Sequence, residues 1–204
     1  MNASDALGRL QDLRAPVITT ADGAALLGVS VDAANKTLKR LAQAGLIVLL
    51  RHGLWAVGKT IDPLLLPDYV TAPYPSYVSL QSALYLHGMI SQIPQVTYVI
   101  SLDRTQRIRT SLGTLSIHHV APAFFGGFDL LESGVKLATP EKALVDVFYL
   151  SGTRSRLFAA LPEVEIPRGF RFKKARAWLA RIPSKRLRTM VAARLEAVVE
   201  RGAV

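Results

Sequence analysis

Ala34, Leu38, Leu41 and Ala42 recur at i, i+4, i+7 and i+8 in "SVDAANKTLKRLAQAG", the spacing of one apolar helix face. Lys36, Lys39 and Gln43 project the other way, with Asp32 and Asn35 near the exposed start. Ser30 is placed to cap this helix, and Gly45 to end it. Upstream, Leu7, Leu10 and Leu13 repeat at helical spacing in "SDALGRLQDL", with Ser4 as the expected cap. "TTADGAALLGVS" gives a second helix, with Thr20 as its expected cap and Ala24, Leu26 and Leu27 for an inner face. Gly28 can take the positive φ that a sharp turn between two helices requires. "LIVLL" and "LWAVG" then read as two short strands joined by "RHG", with Arg51 and His52 at the tip.

Three helices followed by a two-stranded ribbon predict a winged helix-turn-helix over residues 1–59. A helix of this kind fits the major groove of DNA, its first turns reaching base edges and its later cations meeting phosphates. Val31, Asp32, Asn35 and Lys36 are therefore the candidates for base contacts. Lys39, Arg40, Arg51 and His52 are the candidates for the DNA backbone. The competing reading is a winged helix that meets only protein, its charges simply solvated.

From residue 60 the pattern changes. "GKTIDPLLLPDYVTAPYPSY" is proline-rich and reads as a connector, which places a boundary near Lys59. "SLQSALYLHG" is a helix with Leu80, Ala83, Leu84 and His87 on one stripe and Gly88 as its stop. "VTYVISL", "GTLSIHHV" and "VKLA" have strand character, and "DRTQRIRTS" is a basic loop or hairpin arm. "TPEKALVDVFYL" opens a helix with Thr139 as cap, Pro140 in the first turn and Glu141 at the positive end. Beyond Ser151 helices return. Phe172, Ala175, Trp178, Leu179 and Ile182 share one side, and Leu187, Val191, Leu195 and Val198 form the stripe of a final helix capped by Ser184.

Charge adds to this picture through its distribution. The chain of 204 residues carries a net charge of +10. Residues 1–59 hold seven Lys/Arg against four Asp/Glu, 60–155 six against seven, and 156–204 twelve against four. A near-neutral middle between two basic ends assigns polyanion binding to the ends. From Arg168 to Arg188 there are nine Lys/Arg and no acid. Arg171, Lys173, Lys174, Arg176 and Arg181 are accordingly candidates for a second nucleic-acid surface, the alternatives being a solvated face or an acidic protein partner.

Composition excludes several classes. With no cysteine there are no disulfides or thiolate metal sites, which fits a reducing cytoplasm. No signal peptide is legible, and the longest apolar runs fall far short of the ~20 residues that cross a bilayer. No assembled active site is visible either. His118 and His119 are adjacent and would face opposite sides of a strand, and Asp146 lies five residues from Glu141, off the facing spacing. His87 is expected to favour its helix dipole, and Tyr85, Tyr98 and Tyr149 to serve as core or rim aromatics. No catalytic residue, metal or cofactor is assigned.

The stretches "TTADGAALLGVS…LKRLAQAGLIVLLRHGLWAV", "YVSLQSALYLHGM", "TYVISL" and "GVKLATPEKALVDVFYL" together resemble the AbiEi antitoxins of type IV toxin–antitoxin systems, from about Thr19 to Leu150. "ATPEKALVD" with "SLQSALYLHG" is the more specific part. The resemblance implies an N-terminal DNA-binding domain and a C-terminal antitoxin domain. With the elements read above, an α+β chain is expected, the winged helix over residues 1–59 being followed over 60–204 by a mixed α/β antitoxin domain with basic C-terminal helices. The resemblance also implies binding of double-stranded operator DNA, repression of the chain's own operon, and action against a nucleotidyltransferase toxin that need not be gripped directly. The lack of cysteine and of an assembled active site adds the expectation of a cytoplasmic non-enzyme. Two rivals remain at this level: a winged-helix regulator whose second domain senses a small molecule, and a nucleic-acid-processing enzyme using the winged helix as its grip.

Overall fold

In the computed structural model, residues 2–58, 61–152 and 163–202 are described. The chain is mixed α+β and divides into two compact units. One comprises Met1–Tyr69 with Arg109–Gly113, the other Val70–Ile108 with Thr114–Val204. Lys59, where composition shifts, lies outside the described residues.

The first unit runs α1 (Ala3–Asp12), β1 (Val17–Thr19), α2 (Thr20–Leu27), α3 (Val31–Gln43), β2 (Val48–Arg51) and β3 (Leu54–Ala56). Asn2, not the expected Ser4, caps α1, its Oδ1 accepting the Asp5 N–H at 2.7 Å. Thr19, not Thr20, caps α2. Its Oγ1 accepts the Asp22 N–H at 3.1 Å while Asp22 Oδ2 accepts the Thr19 N–H at 2.8 Å, so two orphan donors are satisfied together. Thr20 is thereby left to accept the indole N–H of Trp55 at 2.9 Å. Gly28 closes α2 at φ 67° and Ser30 caps α3 as expected, accepting the Ala33 N–H at 3.3 Å. Gly23 sits where a Cβ would come within 3.1 Å of the Leu38 Cδ1, so α2 and α3 pack closely.

Ala6, Leu10, Ile18, Leu27, Leu38, Leu41, Ile47 and Trp55 form the core of this unit. The sheet has three strands in the order β1-β3-β2, all antiparallel, rather than the expected two. β1 has only three residues, too few to show a period of two in the sequence. Between Leu49 and Arg51 the register of β2 shifts, leaving Leu50 as the extra residue of a bulge.

The proline-rich stretch is not a plain connector. A 3-10 turn, Pro63–Leu65, capped by Asp62, runs directly into α4 (Leu66–Thr71). There follow β4 (Ser76–Val78), α5 (Leu80–Leu86), β5 (Thr97–Ser101), β6 (Gln106–Thr110), β7 (Gly113–His119), β8 (Phe128–Leu130), β9 (Lys136–Ala138) and α6 (Pro140–Ser151). The basic stretch around Arg107 takes the hairpin-arm form, with Arg107 and Arg109 exposed and Ile108 buried between them. The second sheet has the order β6-β7-β5-β4-β9-β8. β5 runs parallel to β7 and β4 to β9, whereas β4/β5 and β8/β9 are antiparallel.

Every side chain from Glu141 to Phe148 of α6 is buried, the mark of an internal helix rather than an amphipathic one. Its start is as expected: Thr139 Oγ1 accepts the Lys142 N–H at 3.3 Å, and Pro140 occupies the first turn. α7 (Phe172–Ala177) passes into a 3-10 turn, Trp178–Arg181, and Ser184 Oγ accepts the Leu187 N–H at 3.3 Å ahead of α8 (Lys185–Gly202). Ala175, Ile182, Val191 and Leu195 are the buried members of the expected stripes.

Candidate nucleic-acid interface

α3 buries Ala34, Leu38 and Leu41 and leaves Val31, Asp32, Lys36, Lys39 and Arg40 exposed, with Asn35 half-buried. At 3.6 residues per turn, Asp32, Lys36, Lys39 and Gln43 fall on the side opposite the core. Among the described residues no carboxylate pairs with Lys36, Lys39 or Arg40. Their charge is therefore not neutralised by any carboxylate among the described residues. Arg51 ends β2 and His52 opens the turn to β3, both exposed, and Gly53 makes that turn at φ 75°. All eight residues singled out for DNA binding thus lie in the first unit. Base-edge and backbone candidates share one capped helix and the hairpin that follows it.

Arg171, Lys173, Lys174, Arg176 and Arg181 are all exposed. Two of them are engaged within the protein. Arg176 makes a two-pronged ion pair with Glu196, at 3.0 Å and 2.8 Å, and the Arg181 guanidinium stands 4.5 Å from the centre of the Trp178 ring. Lys173 and Lys174 follow each other on α7 and, among the described residues, have no carboxylate partner.

The second unit encloses a polar cluster absent from the site residues read in the sequence. Asp146 is fully buried; its Oδ2 accepts from Ser79 Oγ at 2.7 Å and Tyr77 Oη at 3.1 Å, and its Oδ1 pairs with Lys142. Lys142 Nζ also donates to Tyr77 Oη at 2.9 Å and lies 4.0 Å from the Phe124 ring centre and 4.6 Å from that of Trp178. Gly127, at φ 77°, leaves room that a Cβ would take, 2.6 Å from Trp178 and 2.9 Å from Lys142. Burial pushes the Asp146 carboxyl up and the Lys142 ammonium down from their ordinary values, and each one's partner opposes that shift.

Glu141 turns away from this pair. Its Oε1 accepts the Arg171 backbone N–H at 2.9 Å, at the start of α7. The one-turn spacing of Lys142 and Asp146 is visible in the sequence, but ion pairs at that spacing are ordinarily surface features. Only the apolar residues surrounding them on α6 mark this one as internal. Neither member is exposed, and through Tyr77 and Ser79 the pair links α6 to β4 and the residue that follows it.

The histidines divide as strand geometry requires: His118 is buried and His119 exposed. Ser116 Oγ lies 2.9 Å from His118 Nε2, and burial lowers the His118 pKa to about 4. His87, expected to serve its helix dipole, has its Nε2 2.7 Å from the Ala138 carbonyl oxygen and so ties the end of α5 to β9. Among the described residues no three His, Cys, Asp or Glu side chains gather as a metal site, and no helix is long and apolar enough to cross a membrane. Compared with known proteins, the chain matches no protein-family model and no curated protein.

Proposed function

We propose that the first unit is a winged helix-turn-helix that binds double-stranded operator DNA. The observation that carries this reading is the outer face of α3: Lys36, Lys39 and Arg40 exposed on a capped helix, with no carboxylate partner among the described residues, ahead of a hairpin that ends in Arg51 and His52. Val31, Asp32, Asn35 and Lys36 on the first turns meet base edges. Asp32 is suited to accept from a cytosine N4 amino group and Asn35 to bridge an adenine. Lys39, Arg40 and the wing residues hold the phosphates. Titration of the protein on its own upstream DNA and on random DNA, at several salt concentrations, tests the reading. A specific complex whose log K falls linearly with log salt is expected; equal, salt-insensitive binding to both would reject it.

In the fuller form of the proposal, the chain is a cytoplasmic antitoxin that represses its own operon and counters a nucleotidyltransferase toxin, without catalysis of its own. The support is convergence. The two stretches that carry the AbiEi resemblance most specifically, "SLQSALYLHG" and "ATPEKALVD", supply Ser79 on one side and Lys142 and Asp146 on the other of a single buried network, which Tyr77, two residues ahead of the first stretch, completes. Sixty-odd residues of chain separate them, so these motif residues act together in the architecture of one unit. The second unit is then the antitoxic part, and its exposed basic face around Lys173 and Lys174 is a second surface for nucleic acid. Expressing the neighbouring toxin gene with and without this chain tests the antitoxin reading: restored growth supports it, and unrelieved toxicity rejects it.

A further inference from the structure

We infer that the tip of the β6–β7 hairpin, Arg109–Gly113, is part of the DNA-contacting wing: it fixes the aim of the wing at Leu49 and Leu50 and adds Arg109 to its cationic edge. The inference rests on the reading of the first unit as a winged helix. Five residues from the middle of the chain belong to the compact unit formed by its beginning. Their attachment is specific. Ser111 donates its backbone N–H to the Leu50 carbonyl at 3.2 Å and its Oγ–H to the Leu49 carbonyl at 2.9 Å. β2 is the edge strand of its sheet, so its outer side has no neighbouring strand within that sheet to satisfy it.

Leu50 is also the bulged residue, paired with nothing in β3. A bulge bends its strand and re-aims the side chains beyond it, and its carbonyl needs a donor from elsewhere. Ser111 supplies that donor one residue before Arg51 and two before His52, and its hydroxyl adds a second bond at Leu49. The tip is itself braced, since Thr110 Oγ1 donates to the Gly113 carbonyl at 2.8 Å and accepts the Leu112 N–H at 3.2 Å. Arg109 stands two residues from Ser111, is exposed, and has no carboxylate partner among the described residues. The two Ser111 hydrogen bonds thus tie the tip that carries Arg109 to the strand carrying Arg51 within the first unit.

The test uses the full chain on its own upstream DNA, with Arg109→Gln, Ser111→Ala, Arg51→Gln and the double variant Ser111→Ala/Arg51→Gln. Arg109→Gln should reduce the slope of log K against log salt by about one unit. Ser111→Ala removes the hydroxyl bond to Leu49 and should weaken specific binding by about threefold to tenfold, the effect of one hydrogen bond. Its effect should shrink when Arg51 is already Gln, because aiming an absent cation has no consequence. Far-ultraviolet circular dichroism and amide exchange at Leu49–Arg51 report whether each variant keeps its fold, with faster exchange in β2 expected for the variants that carry Ser111→Ala. An unchanged salt slope in Arg109→Gln, or strictly additive effects of Ser111→Ala and Arg51→Gln, overturns the inference while normal binding by the wild type leaves the winged-helix reading standing. Failure of the wild type to bind overturns both.

Discussion

Lys142 and Asp146, one turn apart on α6, form an ion pair with no solvent exposure on either side. Taking two charges out of water costs several kcal/mol per ion, and the pair is tolerated because its members are hydrogen-bonded as well as paired. Asp146 accepts from Lys142, Ser79 and Tyr77, while Lys142 is flanked by the faces of Phe124 and Trp178. Asp146→Ala should therefore destabilise the second unit by about 3–5 kcal/mol, because an unpaired ammonium stays buried. The double variant Lys142→Met/Asp146→Leu, which removes both charges and keeps apolar volume, should lose much less. Urea unfolding of the three proteins, followed by Trp178 and Trp55 fluorescence, measures this. A double variant as unstable as Asp146→Ala would show that the charges themselves stabilise the fold.

The contrast between the two units explains how much is legible in the sequence. α3 is readable because its Ala34–Leu38–Leu41 stripe lies between polar positions, and amphipathic period is the strongest signal a sequence offers. α6 is located by its cap at Thr139 and Pro140, yet the role of Lys142 is not readable, because the helix is buried all round and charge there carries no facing information. The caps at Asn2 and Thr19 are displaced by one or two residues from those expected, since neighbouring Asn, Ser and Thr are chemically equivalent until backbone geometry chooses among them. The attachment of Ser111 to β2 spans some sixty residues of chain, and nothing local in "DRTQRIRTS" announces it.

Replacing Lys36, Lys39 and Arg40 together with Ala should abolish detectable binding to the upstream DNA at physiological salt. At low salt, where binding remains measurable, the slope of log K against log salt should fall by about two to three units, about 0.9 for each phosphate that is no longer neutralised. Fluorescence anisotropy across a salt series reads both quantities. Helix α3 itself should persist, because the three side chains are on its exposed face and Ala is the best helix former. Unchanged affinity and slope would remove α3 from the interface.

Changing Arg171, Lys174 and Arg181 to Gln should weaken binding to specific and random DNA by the same factor, since phosphates carry no sequence information. Arg176 is left in place because its guanidinium is engaged with Glu196. A parallel titration on the two DNAs decides it. No change on either would make this face a solvated surface or a protein-binding one.

His118 predicts a pH dependence. Burial holds its folded-state pKa near 4, below the ordinary value of 6.5, so the unfolded chain binds the proton more readily. The contribution is fully present above pH 6.5 and is lost progressively as pH falls toward 4, by up to about 3 kcal/mol. Unfolding free energies at about pH 7.5, 6.0 and 5.0 should decline more steeply in the wild type than in His118→Gln, which keeps a hydrogen-bonding group near Ser116 without the titration. Parallel declines would place the acid sensitivity elsewhere.

On the antitoxin reading proposed above, repression and protection from the toxin should separate by point substitution. Truncation cannot separate them cleanly, because cutting after residue 59 or 69 would take Arg109–Gly113 away from the unit to which they belong. In the full chain, the Lys36/Lys39/Arg40 triple variant leaves the second unit untouched and should still rescue growth when the toxin is produced from an independent promoter. It should at the same time lose repression of a reporter driven by the chain's own promoter. A substitution that loosens the second unit, Asp146→Ala, should lower rescue with the population of folded second unit, while operator binding by α3 falls only by the share that the Arg109–Gly113 tip contributes. Growth after toxin induction and reporter output, measured in the same strains, give the two readouts. Loss of rescue in the α3 variant, at unchanged protein level, would tie protection to DNA binding and leave no separate antitoxic unit.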